Sequence, residues 1–245
     1  MARSGWRKIM RKNIKKQSGK IGWSLLFALI VIGIVTLFFG MRTSLSAKQA
    51  QASAEVSYAN QLKSAIVLPE PRTLNAFTLT DLNNQTYTNK NLKNHWTLFF
   101  FGFTSCPYIC PTTMAELTKV YNLLQKNKVP EPQVVLVSID PQTDTVEKIK
   151  TFVTAYNKNF IGVRTDDENE LNELTKEFGV VYMKTVKNVP DKEGNKFEID
   201  HSGAIMLINP EGKLMAFFSM PHKAENIAED FMTIQKNFRD NQNVG

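Results

Sequence analysis

Beyond residue 70 the apolar positions switch back and forth between two spacings, and that switching predicts strands and helices in turn. Phe77–Thr80 and Gln85–Thr88 flank the turn-prone Asn83-Asn84 and read as a hairpin. Trp96 to Phe103 is a continuous apolar run, as expected of a strand buried on both faces. Pro111 then opens a predicted helix in which Met114, Leu117, Tyr121 and Leu124 recur at helical spacing. Val134 to Ile139 is a second buried strand. Asp144 with Glu147 resembles a capping box at the start of a helix that carries Val146, Ile149, Phe152, Val153 and Tyr156 along one face. Phe160–Val163 is a short strand, and Asp167 opens a helix with Leu171, Leu174 and Phe178 that Gly179 closes. Val180–Val186 and Ala204–Ile208 read as strands, and Pro210 to Lys213 turn the chain into a last strand at Leu214–Phe218. An amphipathic helix from Ala224 to Phe238 ends the pattern. The alternation predicts one α/β domain, over 71–240, built on a mixed central sheet.

The first 70 residues follow a different rule. Residues 1–20 hold eight Lys or Arg, and Ile21 to Phe39 follow without a charge, interrupted only by Ser24 and Thr36 among hydroxyl side chains. At about 1.5 Å per helical residue such a stretch spans roughly 28 Å, close to the hydrocarbon thickness of a bilayer. Residues 21–39 are therefore expected to be a transmembrane anchor, with the basic end in the cytoplasm and Trp23 at the interface. Ala47, Ala52 and Ala54 offer the rival reading of a cleaved signal peptide, whose apolar core usually runs only about 7–15 residues. Residues 40–70, rich in Ala, Ser, Gln and Lys and closed by Pro69-Glu70-Pro71, read as a stalk.

Charge changes the picture once it is located. The 245 residues carry a net charge of +7, but ten of the 30 basic residues lie within residues 1–48, which hold no Asp or Glu. The remainder is slightly acidic, so the folded domain lacks the electrostatic footprint of a nucleic-acid binder.

The chemistry gathers at two cysteines, the only two, in Thr104-Ser105-Cys106-Pro107-Tyr108-Ile109-Cys110-Pro111. They sit between a buried strand and a helix, at the sheet edge where open α/β folds place ligand sites. Because proline disfavours a helical residue before it, Pro111 is expected to be the first helical residue, with Cys110 at the cap and Cys106 to Ile109 in a tight turn. The helix start is then expected to lower the pKa of Cys110 in particular. Three readings of the pair stand at this point: a structural disulfide, a thiol–disulfide redox pair, and a soft metal site selective for Cu(I) or Zn(II). Of three histidines, His95 reads as a strand-end residue. His222 follows Met220-Pro221 in a loop, making a soft Met-x-His pair. His201 lies just before the strand Ala204–Ile208, with Asp200 as a candidate to orient its ring.

The string Phe99 to Pro111, with Ser138-Ile139-Asp140-Pro141 downstream and Asp200-His201-Ser202 before a late strand, resembles the Sco/SenC family over about 70–240. That resemblance implies a thioredoxin-like fold and a copper-binding assembly factor for the CuA centre of cytochrome c oxidase. It also implies that Cys106, Cys110 and His201 are the metal ligands, with the CuA-bearing oxidase subunit, other copper chaperones and thiol oxidoreductases as partners. Ser105 and Tyr108 stand where many members carry His and Asp, and Gln142-Thr143 where an acidic-Arg pair is common. In a thioredoxin-like fold the loop before the late strand faces the cysteine turn and normally carries a cis-proline; here a histidine occupies that neighbourhood. Two thiolates and one imidazole make a soft pocket suited to Cu(I), or to Cu(II) with an added weak ligand. Oxidising Cys106 to Cys110 removes both sulfurs, so copper loading and a disulfide exclude one another. The alternative function is a membrane-tethered thiol–disulfide oxidoreductase that reduces the oxidase cysteines. A peroxidase, hinted at by Thr104 close before Cys106, is a third. The expected location is a bacterial inner membrane with the domain in the periplasm, or else the mitochondrial inner membrane facing the intermembrane space.

Overall fold

All six residues of Thr97–Gly102 are buried, which is why the sequence there is apolar without alternation. In the computed structural model this strand lies inside an eight-stranded mixed sheet. The structure describes residues 23, 26–42, 58, 60–187, 196–201 and 203–242, and only the backbone of 183–187 and 196–201.

In chain order the strands are β1 (Ala65–Thr73), β2 (Thr78–Asp81), β3 (Thr86–Thr88), β4 (Thr97–Gly102), β5 (Gln133–Ser138), β6 (Ile161–Arg164), β7 (Tyr182–Lys187), β8 (Lys196–His201), β9 (Ile205–Ile208) and β10 (Lys213–Phe218). The helices between them are α1 (Ile109–Lys126), α2 (Val146–Tyr156), α3 (Glu168–Phe178) and α4 (Ala224–Gln242). The main sheet runs β1-β10-β9-β4-β5-β6-β2-β3, and β7 and β8 form a separate two-stranded ribbon. β4, β5 and β6 are parallel, with Phe99 opposite Val135 and Val137 opposite Val163. β9 returns antiparallel on the other side of β4.

Helices cover β4 on both faces. On one face Trp96 meets Phe231 and Phe238 of α4 edge-on, with ring centroids 5.7 and 5.2 Å apart. Phe99 and Phe101 point the other way by the pleat of the strand. They meet Phe178 of α3 at 5.5 and 5.2 Å. The expected caps of α3 are present: Asp167 accepts from the Asn169 amide at 2.8 Å, and Gly179 closes the helix at φ +67°. The buried carboxylate of Asp230 on α4 accepts the amides of Lys63, Ser64 and Ala65 at 2.7–2.8 Å, tying the start of β1 to the helix layer.

The elements differ from the expectation in four places. β1 takes in residues 65–70 of the expected stalk; its prolines are tolerated because it is an edge strand whose register shifts between Val67 and Arg72. α1 begins at Ile109, two residues before Pro111. Pro111 is compatible there because amides in the first helical turn have no intrahelical partner to lose. Asp144 does not cap α2; Thr145 does, accepting from the Lys148 amide. His201 is not in a loop but is the last residue of β8, a strand that the sequence reading did not assign.

The chain divides into two compact units, 1–57 and 58–245. In the first, residues 26–42 are helical and exposed. Among the described residues no helix is long and apolar enough to cross a membrane, and the expected span 21–39 begins in residues outside those described.

Candidate metal and thiol site

β4 and β5 end side by side, and the site is built where their following loops meet. The Ile139 amide donates to the Gly102 carbonyl at 2.9 Å, holding the two strand ends together. From Gly102 the chain turns tightly, with the Cys106 amide donating to the Phe103 carbonyl at 3.3 Å, and enters α1.

The two cysteines are not joined in a disulfide; Cys110 is buried and Cys106 half-buried. The Cys110 amide donates to Cys106 Sγ at 3.4 Å. The helix-start N–H that was expected to act on the Cys110 thiol thus points at the other sulfur. The Cys110 thiol is instead pushed far above the usual range, first by its hydrogen bond to Cys106 and then by burial, with smaller contributions from the charges of Cys106 and Asp144. This corrects the expectation of a lowered pKa. Desolvation and the neighbouring sulfur outweigh the helix terminus.

Glycine at 102 makes room for that thiol. A Cβ there would lie 2.8 Å from Cys110 Sγ and 2.9 Å from the Phe100 ring. Gly102→Ala should therefore displace the sulfur and cost about 2 kcal/mol by overpacking. Equilibrium unfolding in urea checks the cost, and the rate of Cys110 alkylation under native conditions checks the displacement.

A buried carboxylate that the sequence reading took for a helix cap braces the turn from below. Asp144 is fully buried. It accepts from the Thr104 hydroxyl at 2.5 Å, the Ser138 hydroxyl at 2.7 Å and the Thr104 amide at 3.2 Å. Ser138 Oγ in turn accepts the Asp140 amide at 3.2 Å, and the Asp144 amide donates back to the Asp140 carbonyl at 2.9 Å. The Ser138-to-Pro141 string thus locks the β5–α2 loop to the cysteine turn. Thr104 donates its hydroxyl hydrogen bond to Asp144. The signal for Asp144 was present as an acidic residue just after a buried strand, but Glu147 made it look like a cap.

His201 approaches the turn from another part of the chain. Its backbone pairs with Tyr182, whose hydroxyl donates to Asn172 Oδ1 at 2.9 Å and so anchors the ribbon to α3. The His201 and Asp200 side chains lie outside the described residues. Two residues on, Gly203 has φ +63°. A Cβ at this glycine would stand 3.2 Å from Ile109 Cγ2 and 2.9 Å from Met220 Sδ. Ile109 sits between the two cysteines, so the chain leaving β8 rests directly on their turn. The His222 ring is hydrogen-bonded through Nε2 to the Gly203 carbonyl at 2.8 Å. Burial pulls its pKa below the usual histidine value, opposed by the Gly203 bond and the charge of Glu116. A cis peptide does occur here, at Met220-Pro221 rather than before Ala204. His95 precedes β4, and a six-residue strand separates it by about 20 Å from the turn that follows. Among the described residues, which exclude the His201 side chain, no three His, Cys, Asp or Glu side chains are gathered closely enough to hold a metal ion.

Comparison with known proteins agrees with this architecture. The SCO1/SenC family model matches residues 68–236. A putative copper-binding protein of Stutzerimonas stutzeri is 32% identical over 174 residues, covering 71% of this chain and 82% of the relative. Copper-bound ScoI of Bradyrhizobium japonicum superimposes with a TM-score of 0.55 at 30% identity, over 64% of this chain and 96% of that one. Copper-bound ScoI of Arabidopsis thaliana gives 0.60 at 27% identity, over 66% and 98%. The fold is thioredoxin-like, with the cysteine turn after the central strand and a late strand beside it, and the chain belongs to the SCO1/SenC family.

Proposed function

We propose that this chain is a membrane-anchored, extracytoplasmic copper carrier. It takes Cu(I) on Cys106, Cys110 and His201 and serves assembly of the CuA centre of cytochrome c oxidase, with the CuA-bearing subunit as recipient. The observation that carries this reading is the packing of Gly203, two residues beyond His201, against Ile109 in the turn between the two thiols. The donor set suits the cargo: two adjacent sulfurs, one half-exposed, joined by one imidazole, favour a soft monovalent ion. Cu(II) is held by the same set with a further weak donor. The relatives that bind copper support the same assignment.

Residues 21–39 supply the anchor, 1–20 remain in the cytoplasm, and the folded unit stands in the periplasm at the end of a stalk. Other copper chaperones load the site, and thiol oxidoreductases keep its cysteines reduced.

The test is metal loading of the reduced full-length chain with Cu(I) under anaerobic conditions, followed by gel filtration and X-ray absorption. One copper per chain is expected, with two sulfur neighbours and one nitrogen. His201→Ala should lose the nitrogen and bind about 100-fold more weakly, the share of one donor in a few-donor site. A chain that retains no copper, or a His201→Ala variant with an unchanged shell, overturns the reading.

One observation favours a second reading. A half-exposed Cys106 hydrogen-bonded to a buried Cys110 has the asymmetry of an attacking and a resolving thiol. In that reading Cys106 attacks one sulfur of a partner disulfide and releases the other as a thiol. Cys110 then displaces the partner from the mixed disulfide. The partner gains two electrons and two protons, and this chain is left oxidised. That exchange does not need His201, so catalytic reduction by the His201→Ala variant separates it from copper transfer.

A further inference from the structure

The Met220-Pro221-His222 segment lies beside the site, and the proposed function leaves it without a role. As a soft donor and an imidazole close to a copper site, it invites assignment as extra ligands, but the geometry of His222 points elsewhere. Its Nε2 is engaged by the Gly203 carbonyl at 2.8 Å. Its Nδ1 is buried and has no hydrogen-bond partner among the described residues. Nε2 is thus committed to the backbone, and Nδ1 is enclosed in the interior.

A carbonyl oxygen can only accept, so Nε2 carries the proton and Nδ1 is the bare nitrogen. Leaving a buried acceptor unsatisfied is unfavourable, so the ring is held in place by what the Nε2–H bond and its packing return. That bond falls on a peptide that close contacts also hold. Gly203 stands at positive φ, wedged between the Met220 thioether and Ile109. The chain at this point is two residues from His201. On its other side His201 is held by pairing with Tyr182, which α3 anchors through Asn172.

We infer that His222 is a positioning residue for His201: its Nε2–H pins the Gly203 carbonyl, and with Met220 packed on the same glycine it fixes where the last residue of β8 meets the cysteine turn. A ligand carried at the end of a two-stranded ribbon would otherwise move with that ribbon, and a metal site tolerates little displacement of a donor. The inference rests on His201 being a copper ligand.

The experiment compares full-length wild type with His222→Leu, His222→Asn and His222→Gln. Leucine removes the donor at similar volume. Asparagine places its N–H near the Nδ1 position, short of the carbonyl, and glutamine places one near Nε2. Cu(I) affinity is read by competition with a chromophoric chelator, the nitrogen shell by X-ray absorption, and folding by the thermal midpoint. His222→Leu and His222→Asn should each bind copper at least 10-fold more weakly, with the nitrogen shell weakened and both sulfurs retained. His222→Gln should restore affinity to within threefold of wild type. In the His201→Ala background, His222→Asn should cost nothing further, because its effect runs through that histidine. Unchanged affinity in His222→Asn, or a loss that adds to that of His201→Ala, overturns the inference. The same holds if glutamine fails to rescue while folding is intact. If His222→Leu does not fold, the asparagine–glutamine pair still decides the question. Wild type that binds copper without a nitrogen neighbour sinks the copper-site reading itself, an outcome visible before any His222 variant is made.

Discussion

Cys106→Ala and Cys110→Ala should each abolish stoichiometric copper binding by the full-length chain while leaving it folded. Structural zinc sites with four donors store on the order of 10–16 kcal/mol, about 2.5–4 kcal/mol per donor, so losing one sulfur should weaken binding by about 70- to 800-fold. The two variants should differ in stability. Cys110 is fully buried with its sulfur seated over Gly102, and its truncation should cost about 1 kcal/mol. Cys106 is half-buried and should cost less. Copper per chain after gel filtration and the urea midpoint measure both effects together. Retention of one copper by either variant would remove that cysteine from the site. Binding by the intact pair should also weaken as pH falls, because both sulfurs must give up their protons to the metal and the Cys110 thiol holds its proton strongly.

Asp144→Ala should have the largest effect on stability. The substitution takes one acceptor away from two hydroxyls and an amide at a site closed to water. Breaking such a buried polar cluster by deleting its charged member costs about 3–5 kcal/mol. In a domain of this size that is a fall in melting temperature of about 10 °C. Asp144→Asn keeps the shape and one acceptor oxygen, and should lose less than half as much. Thr104→Val and Ser138→Ala should each cost about 1 kcal/mol and should not add to Asp144→Ala, since they share its bonds. The cluster also joins the cysteine turn to the β5–α2 loop, so Cys110 in Asp144→Ala should be alkylated faster than in wild type. A melting temperature within 2 °C of wild type would show that these loops are held by other contacts.

The readable parts of the fold were those governed by local rules. The buried strand β4, the helical spacing of Met114, Leu117, Tyr121 and Leu124, and the Asp167 and Gly179 caps of α3 all follow from neighbours a few residues apart. β1 was missed because Pro69 and Pro71 look like breakers, and only its place at the sheet edge removes the penalty. β8 was missed because it sits in a charged stretch; the alternation of Phe197 and Ile199 with Lys196, Glu198 and Asp200 was the available signal. Asp144 was misread for a related reason. Its spacing to Glu147 suits a cap, but the partners that define its role come from the cysteine turn and β5.

The spacing of Cys106 and Cys110 after a buried strand was enough, by itself, to establish that two sulfurs come together at the end of a sheet, because a single turn cannot separate them. Tertiary structure alone decided the rest. It made Cys110 the buried sulfur, turned the helix-start amide onto Cys106, and set the chain beyond His201 on Ile109 under the hold of His222. Burial and long-range hydrogen bonds depend on residues far apart in the chain, whose meeting no local pattern encodes.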